Sequence, residues 1–170
     1  DHIKVYKANM IIPQIAENLT RSGTCSPIAH CPACGGATEV RIENDVKTLY
    51  CVNPYCSAKK VKLFSHYVSR DAMDIEGLSE ATLMKMIEQG FLSELNDLYT
   101  LEQYKEQIIA MDGFGEKSYN NLIQSIEKSR ETQLFRFVYG IGILNVGSSN
   151  AKLLCRHFGN SLENLRGASV

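Results

Sequence analysis

The sequence predicts a mainly α-helical chain with a small β-rich module ahead of its helices. Three observations predict it. Cysteines fall in two close pairs between residues 31 and 56, with alternating, strand-like sequence between them. After residue 70 the apolar period changes from that of a strand to that of a helix. From there a unit of helix, glycine-bearing turn and helix recurs three times.

Composition narrows the possibilities. Of 170 residues, 44% are hydrophobic and 22% charged, the balance of a folded, water-soluble chain. No apolar run reaches the length of a transmembrane helix, and no basic-then-apolar leader supports secretion. A formal net charge of -1 excludes a strongly basic protein that coats nucleic acid by long-range attraction. The charge is uneven: residues 71–112 sum to -8, whereas 31–70 and 113–170 sum to +3 each. Any contact with phosphate has to be local.

Residues 1–24 read as strand and linker. Ile3-Lys-Val5-Tyr-Lys7-Ala alternates, Met10-Ile-Ile-Pro13-Gln-Ile15 follows, and Arg21-Ser22-Gly23-Thr24 has linker composition. One or two strands cannot make a domain, so this stretch is expected to be the end of a β-domain that begins outside the chain. The sequence after Leu165 likewise reads as cut, in an amphipathic start without a finish.

Four cysteines form Cys31-Pro-Ala-Cys34 and, after 16 residues, Cys51-Val-Asn-Pro-Tyr-Cys56. A Cys-x2-Cys knuckle puts two sulfurs on one tight turn, and a second pair at this separation completes a tetrahedron suited to Zn2+. Gly35 and Gly36 supply the permissive backbone the knuckle needs. Asn44-Asp45 signals a turn between two short strands. Four thiolates leave no open coordination position, so the zinc is expected to be structural and to supply the folding energy of residues 25–65. Two disulfides are the alternative, which the missing secretion signal disfavours. Cys25, His30 and His66 stand near enough in sequence to compete as ligands.

The repeat occupies residues 66–170. Ile75-Glu-Gly77-Leu78-Ser79 aligns with Met111-Asp-Gly113-Phe114-Gly115, and with a third copy ending Leu144-Asn145-Val146-Gly147-Ser148. Behind each turn Leu83/Tyr119/Ala151, Met86/Leu122/Leu154 and Ile87/Ile123/Cys155 mark one apolar helix face. Cys155 is thereby a core thiol rather than a reactive one. Thr100-Leu-Glu-Gln103 reads as the capping box of the helix before the second turn, and Leu134, Phe137 and Val138 mark the helix before the third. A glycine at the start of the turn relieves left-handed strain, and one at the helix start leaves amides bare for an anion. Such helix-hairpin-helix turns can hold a DNA phosphate with no base contact and little need for Lys or Arg. The candidate DNA-binding residues are Gly77, Gly113, Gly115, Lys117, Gly142, Gly147 and Ser148. Plain connections in a helical bundle are the alternative for any single copy.

No catalytic constellation emerges. The sequence has no Gly-x4-Gly-Lys-Ser/Thr loop, Gly140-Ile-Gly142 with Gly147 misses dinucleotide-loop spacing, and the histidines at 2, 30, 66 and 157 have no nucleophile beside them.

Together these residues carry a family resemblance. Cys31-Pro-Ala-Cys34-Gly through Cys51-Val-Asn53-Pro-Tyr-Cys56 is followed by His66-Tyr-Val-Ser-Arg70-Asp-Ala-Met73-Asp-Ile75-Glu-Gly77-Leu, the turn at 113–115, and Gly140-Ile-Gly142-Ile-Leu-Asn-Val146-Gly147. This resembles bacterial NAD-dependent DNA ligase over nearly the whole chain. The resemblance implies that Ala8-Asn-Met-Ile-Ile-Pro13-Gln-Ile ends an oligonucleotide-binding (OB) fold, giving 1–24 as OB end and linker, 25–65 as a four-cysteine zinc finger and 66–170 as a helix-hairpin-helix domain cut before its fourth hairpin. It implies an enzyme that seals nicks in double-stranded DNA during replication and repair, using NAD and Mg2+. The adenylated lysine sits in a Lys-x-Asp-Gly motif, but Ala110-Met-Asp112-Gly113 has alanine in the lysine's place. The segment is therefore expected to grip DNA and to be inactive alone. Further implied are a monomer, no membrane association, and a bacterial cytoplasmic, nucleoid-associated location. Cys25 and Ser79 depart from the family pattern. Two other readings compete. A freestanding zinc and helix-hairpin-helix recombination mediator would place its hairpin before its zinc motif, the reverse of the order here. A helical adaptor that binds protein would show no salt-sensitive affinity for duplex.

Overall fold

A computed structural model describes residues 1–23 and 26–168. The chain divides into two compact units, Asp1–Val52 and Asn53–Val170.

The first unit consists of two antiparallel hairpins. β1 (Ile3–Ala8) pairs with β2 (Ile12–Asn18), with Ala8 opposite Ile12 and Val5 opposite Ile15. The register shifts between Lys4 and Val5, where Lys4 is opposite Glu17 and Val5 opposite Ile15. β3 (Thr38–Glu43) pairs with β4 (Val46–Cys51) in unbroken register from Thr38–Cys51 to Glu43–Val46. Asn44 and Asp45 both take left-handed angles, φ 49° and 64°, which makes the two-residue turn expected from the sequence. No described residue of this unit is buried. Val40 and Leu49 face each other across the ribbon and remain 45% and 40% exposed. Two small ribbons cannot bury enough apolar surface to be stable alone.

The second unit is helical: α1 (Ser57–Val68), α2 (Glu80–Glu88), a 3-10 helix (Leu95–Tyr104), α3 (Lys105–Ile109), α4 (Glu116–Ser129), α5 (Leu134–Gly140), α6 (Ser148–His157) and α7 (Leu162–Arg166). Its main core joins Phe64, Leu83, Met86, Leu98, Ile108 and Leu122, and a smaller one joins Val138, Ala151 and Cys155. Fully burying a leucine such as Leu122 stabilises by about 2 kcal/mol. The aligned positions Leu83, Tyr119 and Ala151 are all buried, so the repeat corresponds to a shared inward face. Cys155 is buried as expected, and burial pushes its thiol pKa up.

Polar links tie the helices together. The Tyr67 and Tyr99 hydroxyls lie 3.0 Å apart, Tyr99 reaches the Ser129 hydroxyl at 3.2 Å, and Ser129 donates to the Ile126 carbonyl at 2.6 Å. Burial drives the Tyr67 phenol well above its usual pKa. Arg136 Nε donates to the Ala72 carbonyl at 2.7 Å, which pins α5 to the segment leading into the first turn.

One expectation is corrected. The helix before the second turn starts at Leu95, not at Thr100. Glu94 and Asp97 form the reciprocal cap, with Asp97 accepting the Ser93 and Glu94 amides at 2.7 and 2.8 Å. The Thr100 hydroxyl instead donates to the Asp97 carbonyl, three residues back, at 3.1 Å. α1 contributes Phe64, Tyr67 and Val68 to the helical core.

Candidate functional site

The metal cluster is built from two turns. After Cys31 the chain folds back on itself: Gly35 N–H donates to the Cys31 carbonyl at 2.8 Å, and Cys31 N–H donates to the Gly36 carbonyl at 2.7 Å. Gly35 takes φ 69°, an angle costly to a residue with a Cβ. Cys51 ends β4. The Asn53 side chain accepts the Tyr55 amide at 2.9 Å, and Cys56 follows as the buried N-cap of α1. The Sγ atoms of Cys31, Cys34, Cys51 and Cys56 all lie within 4.8 Å of one another. Cys34 and Cys51 Sγ are 3.5 Å apart, far beyond a disulfide bond of about 2.05 Å. A tetrahedron of Zn–S bonds of about 2.3 Å has edges of about 3.8 Å, so the donor set fits a four-thiolate zinc site. Of the other expected competitors, His66 instead donates Nε2–H to the Tyr139 carbonyl at 2.8 Å. His30 lies in a backbone bridge to Ala37. Cys25 lies outside the described residues.

The three turns of the helical unit share one backbone plan. Gly77, Gly113 and Asn145 take left-handed angles of 92°, 81° and 64°. Each stands two residues before the N-cap of a helix: Ser79 of α2, Gly115 of α4 and Gly147 of α6. Asparagine is the side chain that tolerates this region best, which is why the third copy manages without its first glycine. The Phe114 amide donates to the Met111 carbonyl at 2.9 Å and the Val146 amide to the Ile143 carbonyl at 3.0 Å, closing two of the turns alike.

The helix starts differ. The first i to i-4 bonds run from Leu83, Tyr119 and Ala151 back to the carbonyls of Ser79, Gly115 and Gly147, each at 2.9 Å. Three amides per helix therefore precede the ladder. In α2 one of them, Thr82 N–H, donates to the Ser79 hydroxyl at 3.1 Å. In α4 and α6 no N-cap side chain takes that role. A Cβ on Gly115 or Gly147 would meet nothing within 4 Å, so the approach to those amides is open. Their backbones, φ -160° and -74°, suit any residue.

The sequence-derived residues fall into two groups. Gly77 and Gly113 line one groove of about 740 Å³ with Thr82, Ser118, Asn121 and Lys128. A Cβ on Gly77 would make only ordinary contact with Leu122 Cβ, at 3.7 Å, so the left-handed φ of 92° rather than packing favours glycine there. Gly142 and Gly147 line another groove of about 460 Å³ beside His66 and Tyr139. Gly142 belongs to the end of α5, where its N–H donates to the Tyr139 carbonyl at 3.1 Å, rather than to the turn itself. Lys117 is exposed in the first turn of α4, and Ser148 opens α6. Sequence reasoning treated Ser79 only as a lost glycine and missed that it caps its own helix; its place just before an apolar helical run was the signal.

Residues 30–58 match the family model of the NAD-dependent DNA ligase C4 zinc finger domain, and that span contains all four clustered cysteines. Residues 30–58 thus resemble the zinc finger of the NAD-dependent DNA ligases. The chain is 55% identical to a DNA ligase of Lachnoclostridium phytofermentans over 170 residues, 100% of this chain and 26% of that protein. It is 58% identical to the DNA ligase of Ruminiclostridium cellulolyticum over 167 residues, 96% of this chain and 25% of that one. The Bacillus subtilis DNA ligase is 42% identical over 174 residues, covering 99% and 25%. The chain thus spans about a quarter of the length of the curated ligases it matches. No described helix is long and apolar enough to cross a membrane.

Proposed function

We propose that this segment is the part of a bacterial DNA ligase that grips double-stranded DNA around a nick, through the sugar–phosphate backbone and without reading bases. The observation that carries the reading is the uncapped start of α4 and α6, each two residues beyond a left-handed turn and open to solvent. Such amides present partial positive charge to a phosphate oxygen. They carry no base information, and they need no basic surface, which fits a chain of net charge -1. Gly113, Gly115, Lys117, Gly147 and Ser148 make the contacts, with Lys117 adding a charge beside the α4 amides. Gly77 shapes the first turn, and Gly142 closes α5 ahead of the third.

Cys31, Cys34, Cys51 and Cys56 hold a structural Zn2+, whose thiolate bonds replace the core that residues 1–52 lack. Residues 1–24 are the end of an OB fold and its linker, the finger follows, and the helix-hairpin-helix domain begins with α1. In this reading nick sealing with NAD and Mg2+ belongs to the rest of the ligase, since the 170-residue segment has alanine at 110 where the adenylated lysine would stand, and the segment is inactive by itself; a monomer working in the bacterial cytoplasm is part of the same proposal.

Titrating the segment with nicked duplexes of unrelated sequence across a salt series tests this. Binding that is alike for all sequences, with a shallow salt slope because few cations are involved, is expected. An absence of duplex binding, or affinity confined to one sequence, contradicts it. Stripping the metal with a strong chelator should release about one zinc per chain and abolish the strand signals of β3 and β4 while the helical circular dichroism persists. Intact strands after complete zinc removal would refute the structural role.

A further inference from the structure

We propose that the flank of the third hairpin carries a second contact for the duplex backbone: a basic groove in which Lys152 and Arg156 hold phosphates beyond the reach of the turn amides. This rests on the reading of the segment as a DNA grip and extends it from main-chain to side-chain contacts.

The groove lies between the start of α5 and the outer side of α6. It encloses about 530 Å³ and is lined by Gln133, Leu134, Phe135, Lys152, Arg156 and Asn160. Lys152 and Arg156 stand four residues apart on one face of α6, about 6 Å along its axis. Ala151 and Cys155, each one residue earlier, are buried, which fixes the rotation of α6 and sets both cations at the rim of the small core. Lys152 Nζ lies 4.8 Å from the Phe135 ring centroid, a cation–π contact that holds the ammonium over the groove.

The groove lacks acids. None of its lining residues is a carboxylate, and none occurs from Ser148 to Asn160. Some exposed cations of the helical unit have acidic partners, Lys62 with Glu80, Lys85 with Asp112 and Arg130 with Glu127. Lys152 and Arg156 take part in no ion pair among the described residues. The helix dipole accounts for only one of them. Arg156 sits in the last turn of α6, where a cation is favoured, but Lys152 is mid-helix. An ammonium, a guanidinium and the amides of Gln133 and Asn160, with no opposing acid, suit the successive oxyanions of a phosphodiester strand. The same helix begins at the open amides behind Gly147, so one strand can run from the helix start to the groove.

The test uses the zinc-loaded segment and a nicked duplex titrated against salt. Lys152→Ala with Arg156→Ala should weaken binding about tenfold and make the slope of log K against log salt shallower by about 2. Its thermal midpoint should not move, and Lys152→Arg with Arg156→Lys should retain wild-type binding. Gly147→Val is the companion: it should weaken binding with the slope unchanged. If the double alanine variant keeps wild-type affinity and slope while Gly147→Val binds weakly, the groove is not a contact and the hairpin reading stands. If neither change alters binding, both readings fall. If the double alanine variant binds duplex normally but loses a polyglutamate peptide that the wild type binds, the groove serves an acidic protein and the proposal is overturned.

Discussion

Gly77 and Gly113 turn the chain in the same left-handed way, yet the two helices they introduce begin differently. At α2 the Ser79 hydroxyl accepts the Thr82 amide at 3.1 Å. At α4 Gly115 offers no side chain, and nothing would touch a Cβ placed there. A cap and an anion compete for the same donors. The first hairpin commits one of its amides to its own stability, while the second has no N-cap side chain to engage any of its three. Nothing in the fold demands glycine at 115: its φ of -160° is ordinary extended backbone. Access to the amides is the explanation left for it. The glycine at 77 is different, because its φ of 92° is a left-handed angle that residues with a Cβ rarely adopt. Similar glycines in aligned turns therefore serve different ends, and only geometry separates them.

The largest effect should come from closing the second hairpin. Gly115→Val fits the extended backbone, so helicity and thermal midpoint should hold, while affinity for nicked duplex should fall about tenfold, or about 1.4 kcal/mol. Unchanged affinity in a filter or fluorescence binding assay would show that the α4 amides touch no phosphate. A smaller effect should come from opening the first hairpin. Ser79→Gly removes the cap, lowering stability by roughly a few tenths of a kcal/mol in thermal denaturation. Duplex affinity should stay level or rise by up to about twofold, since one more amide becomes available to an anion. A fall in affinity would mean that the Ser79 hydroxyl itself contacts DNA and that the two hairpins differ less than their caps suggest.

Much of this was legible in the residues. The spacing of Cys31, Cys34, Cys51 and Cys56 anticipated a cluster whose sulfurs lie within 4.8 Å, because knuckle geometry is local and two-residue spacing constrains it tightly. The apolar stripe behind each turn anticipated the buried faces of α2, α4 and α6, since helical periodicity reports directly on burial. Other features depended on competition between neighbours. Thr100 and Glu94 both precede plausible helix starts, and Glu94 won because Asp97 could return its bond. α1 escaped notice although Val61, Phe64 and Val68 carry a helical stripe, because the last zinc cysteine doubles as its N-cap. The acid-free groove beside α6 was invisible in sequence: Phe135 and Lys152 are 17 positions apart and meet only through packing.

The central claim is that the open helix starts behind Gly115 and Gly147 are where phosphate sits. Backbone amide NMR of the zinc-loaded segment during titration with nicked duplex tests it most directly. The largest shifts are expected at the amides of Lys117, Ser118, Ser149 and Asn150, with smaller ones at Ala81 and Thr82 behind the Ser79 cap. Saturable binding that leaves the α4 and α6 amides unmoved would contradict the claim.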